Sequence, residues 1–590
     1  VIGERHRLLT RHFLRGFLEN DLVSPDQGLQ ATLAPIVAAI AAPSLMLPLI
    51  WSFAYGWPYR RVEQFQALVL RHEIVLVMYP MVIVALVAVL QWDSLYPDRR
   101  DAEVLGRLPI PTSAMFWAKV SALLIFVGGF AVAANGPATI LYPLVANLRE
   151  QPGLHGPLRT LAAHIVATGA ASAFAVFGVL AVMGVMQLLL PARWRRTVSP
   201  AVQLTAVLVL VLTLLMLPFV MMLVDPREHG GLAARLSLHR VYEGAGTSWA
   251  SWFPPFWFLG AYEEVAGRGA DGMRLLAARA LWGVGIAMVA SLACYLWTYR
   301  RHAAGAMLGD GPGGTRAHRG IVSRVGSRLA GLIVRQPQPR AFFAFIATTV
   351  VRSGKHRLMV AGAIGAALAF ILAEATVGIE TYNPARPGPQ VLSAQFVFVI
   401  FLLAGARFAF AVPTVLPANW AFRFHGPEHV RACATATRRA MIWLGIVPLL
   451  ALLFPVYLLL YGWEMAAMHA VIVLAASLGL VELLLAGFPK VPFASAYVPG
   501  RAMIRSRLTL YLLTFQFFAY VLSSIESHVL PRTPWAFVML AVLVVPWLVM
   551  VRRRVVRERT AELVYDEDAP DAIQTLSLSG PAGQRLEAGS

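Results

Sequence analysis

The chain is written in apolar runs of about 20 residues, broken by short charged or proline-rich connectors, and few folds accept that rhythm. At 1.5 Å per residue a helical run of this length crosses the ~30 Å hydrocarbon core of a bilayer. Inside hydrocarbon a lone segment must satisfy its own backbone hydrogen bonds, which makes each run a helix. The expected fold is all-α: a polytopic transmembrane helical protein of about twelve spans in two six-span halves. The spans are placed near residues 31–54, 74–91, 116–144, 161–190, 202–224, 280–298, 358–377, 391–413, 440–461, 469–488, 508–523 and 535–551. Composition agrees, with 58% of the 590 residues hydrophobic and 14% charged, against ~25% charged in soluble domains. Pro137 and Pro143 predict that the third run is bent or broken near its end.

A net charge of +19 in a soluble protein would point to nucleic acid. Here the basic residues sit in short clusters just past span ends, and no basic, aromatic-interleaved soluble domain is present, so nucleic acid is excluded as a partner. Arg193, Arg195 and Arg196 form one cluster; Arg300 and Arg301, Arg438 and Arg439, and Arg552 to Arg554 form others. A cytoplasmic N-terminus puts about 36 of the 50 Lys and Arg on the inner side, as the positive-inside rule requires. Arg60, Arg61 and Arg71 run against it. The expectation is a multi-pass protein of a bacterial inner membrane with both termini cytoplasmic. The first 20 residues lack the apolar core of a signal peptide. Their leucines and phenylalanines recur at helical spacing between Arg5, Arg7, Arg11 and Arg15, which describes a basic amphipathic helix on an anionic lipid face.

The segment GDGPGG at 309–314 divides the spans six and six. The resulting organisation is an N-terminal amphipathic helix (1–30), a first half (31–299), an Arg/Gly-rich linker (300–340), a second half (341–551) and a tail (552–590) rich in acidic and small polar residues. Parallel six-span repeats are a recurrent transporter design, with the substrate route between the halves.

Candidate sites follow from charge in unexpected places. The loop WDSLYPDRRDAEVLGRLPIP gathers Asp98, Arg99, Arg100, Asp101, Glu103 and Arg107. Asp98 at a helix start and Glu103 four residues before Arg107 predict a short helix, ended by Leu108-Pro109. Such a loop serves equally as a lever for a partner or as a solvated connection. Arg407 and Glu482 lie within spans eight and ten, where a charge marks a functional site; they could pair with each other or reach separately to the interface. The segment SWFPPFWFLGAYEE offers Trp252, Trp257, Glu263 and Glu264 as interfacial or re-entrant structure, or as an aromatic belt with solvated carboxylates. The stretch FPKVPFASAYVPGRAMIRSR at 488–507 reads as a docking or pivot loop, or as a plain polar connection. His155 and His164 read as structural. No GxxxxGK[ST], HExxH or GxSxG occurs, and Cys294 and Cys433 stand alone. No catalytic, cofactor or metal residue is therefore assigned, and any ATP is hydrolysed by another chain.

A span, then DRRDAEVLGRLPIPTSAMFWAK, then a further span resembles the ABC-2 type exporter permeases, through Glu103, Leu105, Leu108, Pro109, Ile110 and Lys119. In that family the loop is a coupling helix that contacts a separate ATP-hydrolysing subunit. Thr112-Ser113 replaces the family's serine only loosely, the second half lacks the Leu-Pro turn, and two six-span units are fused here. The resemblance implies the membrane subunit of an exporter, with a nucleotide-binding partner docked on 97–111 and 417–439. On that reading the substrate, small-molecule or lipid-like, stays unnamed; it passes between the halves with membrane lipid around them, and its release is governed by 225–274. Two other classes stay open: a gradient-driven carrier using Arg407 and Glu482, and a membrane transferase, for which the first external segment offers Glu63 and Glu73.

Overall fold

A computed structural model describes residues 2–18, 29–56, 62–92, 110–147, 155–223, 252–269, 271–307, 333–378, 387–414, 428–486, 490–495, 517–528 and 533–557, with isolated positions 331, 383, 422 and 488. Every regular element among them is helical. Among the described residues ten helices are long and apolar enough to cross a membrane: Ala34–Tyr55, Leu68–Leu90, Ser113–Ala146, Gly156–Leu189, Val198–Leu217, Gly272–Trp297, Gly354–Leu372, Pro389–Ala411, Arg431–Tyr461 and Trp463–Leu485. The chain is an all-α, multi-pass membrane protein. The eleventh expected span is described only as a helix over 517–528, and the twelfth forms a helix over Thr533–Arg557.

The first half opens with α1 (Ile2–Leu18). Its Leu9, Phe13 and Phe17, one turn apart, are buried, while Arg5, Arg7, Arg11 and Arg15 are exposed. It lies on the first turns of α4 (Thr112–Ala146), where Phe17 and Phe126 stand 5.8 Å apart and Lys119 Nζ sits 5.4 Å from the Phe13 ring. Between them come α2 (Leu29–Gly56) and α3 (Val62–Leu90). Apolar on nearly every side, α3 takes the centre, against α4, α5 (His155–Leu189) and α6 (Ala192–Leu223). After α6 a short helix, α7 (Pro254–Ala266), packs on α3, α5 and α8 (Asp271–Met307). The first-half helix α8 thus runs past the boundary expected at 299.

The predicted break in the third run does not occur; α4 stays helical to Ala146 through Pro137 and Pro143. Side chains tie its backbone around the prolines: Thr139 Oγ1 donates to the Asn135 carbonyl (2.9 Å), Asn147 Nδ2 to the Pro143 carbonyl (2.7 Å), and Ala138 N to Ser44 Oγ of α2 (3.0 Å). Ser44 thus meets the Ala138 N–H beside Pro137, and re-satisfying a backbone group from a neighbouring helix is one way membrane helices tolerate proline.

The second half comprises α9 (Pro337–Arg352), α10 (Gly354–Gly378), α11 (Pro389–Ala411), α12 (Glu428–Ala440), a π-helical turn over Met441–Ile446, α13 (Val447–Tyr461), α14 (Trp463–Leu485), α15 (517–528) and α16 (Thr533–Arg557). Among the described residues several contacts recur in both halves. The amphipathic helix meets the third spanning helix (α1 with α4, α9 with α12), and the second meets the fourth (α3 with α5, α11 with α14). The third also meets the fourth (α4 with α5, α13 with α14), and the fourth meets the sixth (α5 with α8, α14 with α16). The halves touch through α6 and α10, where a Cβ on Gly365 would lie 3.1 Å from the Leu208 carbonyl oxygen. Spanning helices alternate in direction, so the bundle has a near face, carrying α1 and α9, and a far face.

Candidate functional site

At the far face, α2, α3, α4, α5 and α7 bring polar side chains into a buried cluster. Glu73 enters near the start of the apolar part of α3 and is 0% exposed; Glu263, in the last turn of α7, is 3% exposed. Between them stands Arg268. Gly267 closes α7 in the left-handed conformation (φ 76°), and Arg268 N donates to the Glu263 carbonyl (2.9 Å), a glycine C-cap that turns the arginine back over the helix end. A cation there also meets the negative end of the helix dipole. Arg268 Nη2 donates to Glu73 Oε1 (2.5 Å) and to Glu263 Oε1 (2.8 Å), so one nitrogen bridges two carboxylates from two helices. Burial disfavours the Arg268 charge, but Glu73 and Glu263 outweigh it and hold the guanidinium charged more firmly than usual. Glu264 stays at the surface, 3.5 Å from Arg274 Nε.

Around this latch lies an aromatic shell. Trp51 stacks on His72 with centroids 4.0 Å apart. His72 Nδ1 lies 3.1 Å from Tyr55 Oη, which lies 3.0 Å from Tyr142 Oη. His164 sits between Tyr142 and Tyr262, its ring 6.3 and 6.0 Å from theirs, and neither of its buried nitrogens has a hydrogen-bond partner among the described residues. Burial and then the Glu73 charge push the Tyr262 hydroxyl well above its ordinary value, keeping it neutral. Chemically, the arrangement can lock α3 to α7 through an ion pair and open when that pair is broken. Among the described residues no group of three or more His, Cys, Asp or Glu could hold a metal.

The second half carries its own far-face pair. His469 Nδ1 lies 2.8 Å from Glu526 Oε1, and both side chains are nearly inaccessible (2% and 0%). The Tyr457 ring leans on His469 at 4.5 Å, while its hydroxyl donates to the Val391 carbonyl (2.8 Å).

The near face treats the expected intramembrane charges differently from the pairing considered above. Glu482 Oε1 accepts from Arg554 (2.7 Å) and lies 2.8 Å from Arg438 Nε. Arg407 Nε donates to the Leu484 carbonyl (3.0 Å), and its guanidinium lies 3.8 Å above the Phe488 ring. Arg407 and Glu482 are therefore not a pair. A cluster of arginines closer to the helix ends reaches the carboxylate first. Arg438 and Arg439 of the expected 417–439 docking segment point inward, Arg439 to the Ile333 carbonyl (3.3 Å).

Trp252 is 81% exposed, as a belt residue would be, but Phe258 and Tyr262 are fully buried, so the aromatic segment is mainly core. Trp257 is half-buried against Phe174, 5.8 Å away. Asp98, Arg99, Arg100, Asp101, Glu103, Leu105, Arg107, Leu108 and Pro109 lie outside the described residues. The two ends of their loop do not: Trp92 donates to Ser199 Oγ (3.0 Å), and Ile110 packs in the near-face cluster of Leu9, Phe13 and Phe17. Lys119 is 4% exposed in that cluster. Within 488–507 only Phe488 and residues 490–495 are described, and 491–495 form a buried plug. Phe493, at φ 64°, inserts between His356 and Phe410, its N–H bonded to the Phe410 carbonyl (3.0 Å).

The residues that sequence reasoning missed are Arg268 and the His469–Glu526 pair. Glu73 was visible, as a carboxylate entering an apolar helix, but was assigned to an external segment. Comparison of the chain with family models, with curated proteins and with solved structures finds no match.

Proposed function

We propose that the chain is the membrane subunit of an exporter, moved by a separate ATP-hydrolysing protein that docks on the loop between α3 and α4. The near face is then cytoplasmic, in a bacterial inner membrane, as the distribution of basic residues favours. One observation carries the reading: α4 is an unbroken rod of 35 residues from that loop to the far-face latch. At its near end Phe13 and Phe17 of α1 pack on its Lys119 and Phe126; at its far end Tyr142 meets Tyr55 and His164. The other root of the loop is strapped to α6, with Gln203 Nε2 bonded to the Val89 carbonyl (3.0 Å) beside the Trp92–Ser199 bond. The same cluster includes Leu358 and Ala361 of α10, so force applied at the loop reaches both halves. Two-state movement of packed, rigid helices is how such a force travels.

The carrier alternative loses the Arg407–Glu482 pair it relied on. Of the carboxylates offered to a transferase, Glu73 is held by Arg268. The decisive experiment is co-purification of the tagged chain from its native membrane. An ATPase is recovered with the intact chain and lost when 98–107 is replaced by Gly/Ser. Recovery that ignores the replacement, or labelling of Glu103→Cys from outside the cell, overturns the proposal.

A further inference from the structure

A cleft of about 330 Å³ opens between α4 and α5, against Val84 of α3. It lies near the middle of the spans Ser113–Ala146 and Gly156–Leu189, and its rim carries Leu124, Val132 and Ile165, exposed by 46%, 71% and 54%. In a membrane-spanning chain that rim faces lipid tails. Glycines make the cleft: a Cβ on Gly128 or Gly169 would touch nothing within 4 Å.

The wall is mainly apolar but contains Asn135, Thr139, Thr168 and Ser172. Two of these behave as polar residues in a membrane helix normally do, returning their hydroxyl to the preceding turn: Thr139 to Asn135 (2.9 Å) and Thr168 to His164 (2.6 Å). Ser172 could do the same and does not. Its Oγ is buried with no partner, and so is Asn135 Oδ1, whose Nδ2 already donates to the Ala131 carbonyl (2.9 Å). Ser172 is itself 6% exposed. An unmet acceptor in hydrocarbon costs free energy until a donor arrives.

We propose that this cleft is a lateral binding site for a single-chain amphiphile whose polar end carries a hydrogen-bond donor, the apolar chain lying between α4 and α5 and the donor meeting Asn135 Oδ1 and Ser172 Oγ. A bare acyl chain fills the space but leaves both atoms unmet. A partner's transmembrane helix, ~10 Å wide and ~30 Å long, occupies roughly 2,000 Å³ and does not fit the cleft. The volume instead matches the lower end of the ~300–1,000 Å³ of small-ligand sites. From the cleft a polar line leads to the far-face cluster, through Ser172, Thr168 and His164 on α5 and through Asn135, Thr139 and Tyr142 on α4, each set at helical spacing. His164, with both nitrogens buried and unpartnered, ends that line. Intramembrane polar residues of this kind mark substrate routes. The inference rests on the permease reading only in treating the bound molecule as cargo; binding itself needs no motor.

The test uses the full chain in lipid nanodiscs and hexadecanol bearing a mid-chain diazirine, with hexadecyl methyl ether as the donor-free competitor. The alcohol probe is expected to label 124–139 and 165–177 saturably, with the ether competing about tenfold less well than hexadecanol, the worth of one hydrogen bond. Gly128→Leu and Gly169→Leu, which fill the cleft, each reduce labelling about tenfold, and Asn135→Leu/Ser172→Ala abolishes the preference for alcohol over ether. Labelling spread evenly over all lipid-facing helices, or equal competition by the ether, overturns the proposal. So does unchanged labelling in glycine variants that keep the wild-type unfolding midpoint. Should those variants not fold, the alcohol-against-ether competition on the unaltered chain decides alone. Loss of ATPase recovery leaves these outcomes untouched, so the two proposals fail separately.

Discussion

Arg268 illustrates what a single side chain settles in this molecule. It donates to one oxygen of each of two carboxylates, and Glu73 has no exposure at all, so removing the cation leaves a buried carboxyl group without that partner. Arg268→Ala should destabilise the chain by about 3 kcal/mol, the low end for a broken buried pair because the arginine side chain is itself 38% exposed. Glu73→Gln in the same background should restore more than half of that, a coupling that a double-mutant cycle of denaturant midpoints in detergent reads directly. If the two losses simply add, Arg268 is not what holds Glu73. On the near face Glu482 performs the reverse role, one carboxylate for Arg438 and Arg554. Glu482→Gln should loosen α16 and raise the proteolytic sensitivity of Arg552–Arg554, read as faster tryptic cleavage there. Individual charges were legible in the sequence because they stood in apolar runs. Their partners were not, because Arg268 reaches Glu73 across 195 positions of chain, and no local spacing encodes that contact.

Helices were legible wherever hydrophobicity alone decides them, and less so where tertiary contact does. Runs such as 74–91 and 391–413 became spans because lipid leaves the backbone no alternative. Of the bend or break expected at Pro137 and Pro143 the break does not occur, and the bond from Ala138 N to Ser44 of α2 is one that a proline count does not reveal. The aromatic segment before α8 reads from sequence as interfacial or re-entrant structure, or as an aromatic belt. What buries it is Gly260, whose missing side chain lets α7 approach α8 so closely that a Cβ would stand 2.5 Å from Leu276 Cβ and 2.7 Å from the Met273 carbonyl oxygen. Backbone cannot yield as a side-chain tip can, so Gly260→Val should cost about 1–3 kcal/mol by overpacking. It should also shift Glu263 away from Arg268. A lowered thermal midpoint is the first readout. The second is that Arg268→Ala costs less in the Gly260→Val background than in the parent; an undiminished cost would mean that α7 has not moved.

At the scale of the whole chain, the recurring contacts make each half a similar framework, yet the first spanning helices are used differently. In the first half α2 lies on α4, whereas α10 packs against α11 and against α6 of the other half. The bridge between the halves therefore passes through α10, where Gly365 lies close against the Leu208 carbonyl and Val211. A close contact of this kind transmits displacement, because packed interiors are stiff. Gly365→Leu replaces it with a wedge. Under the exporter reading this variant should still recover the ATPase, since 93–109 and its anchors Trp92 and Ile110 lie in the first half and are untouched. ATP hydrolysis should then lose its dependence on the second half: removing the His469–Glu526 pair by Glu526→Gln alters the rate in the parent chain but not in Gly365→Leu. Equal responses in both backgrounds would mean that the halves communicate by a route other than α6 and α10, and the bridge through Gly365 would be only a contact.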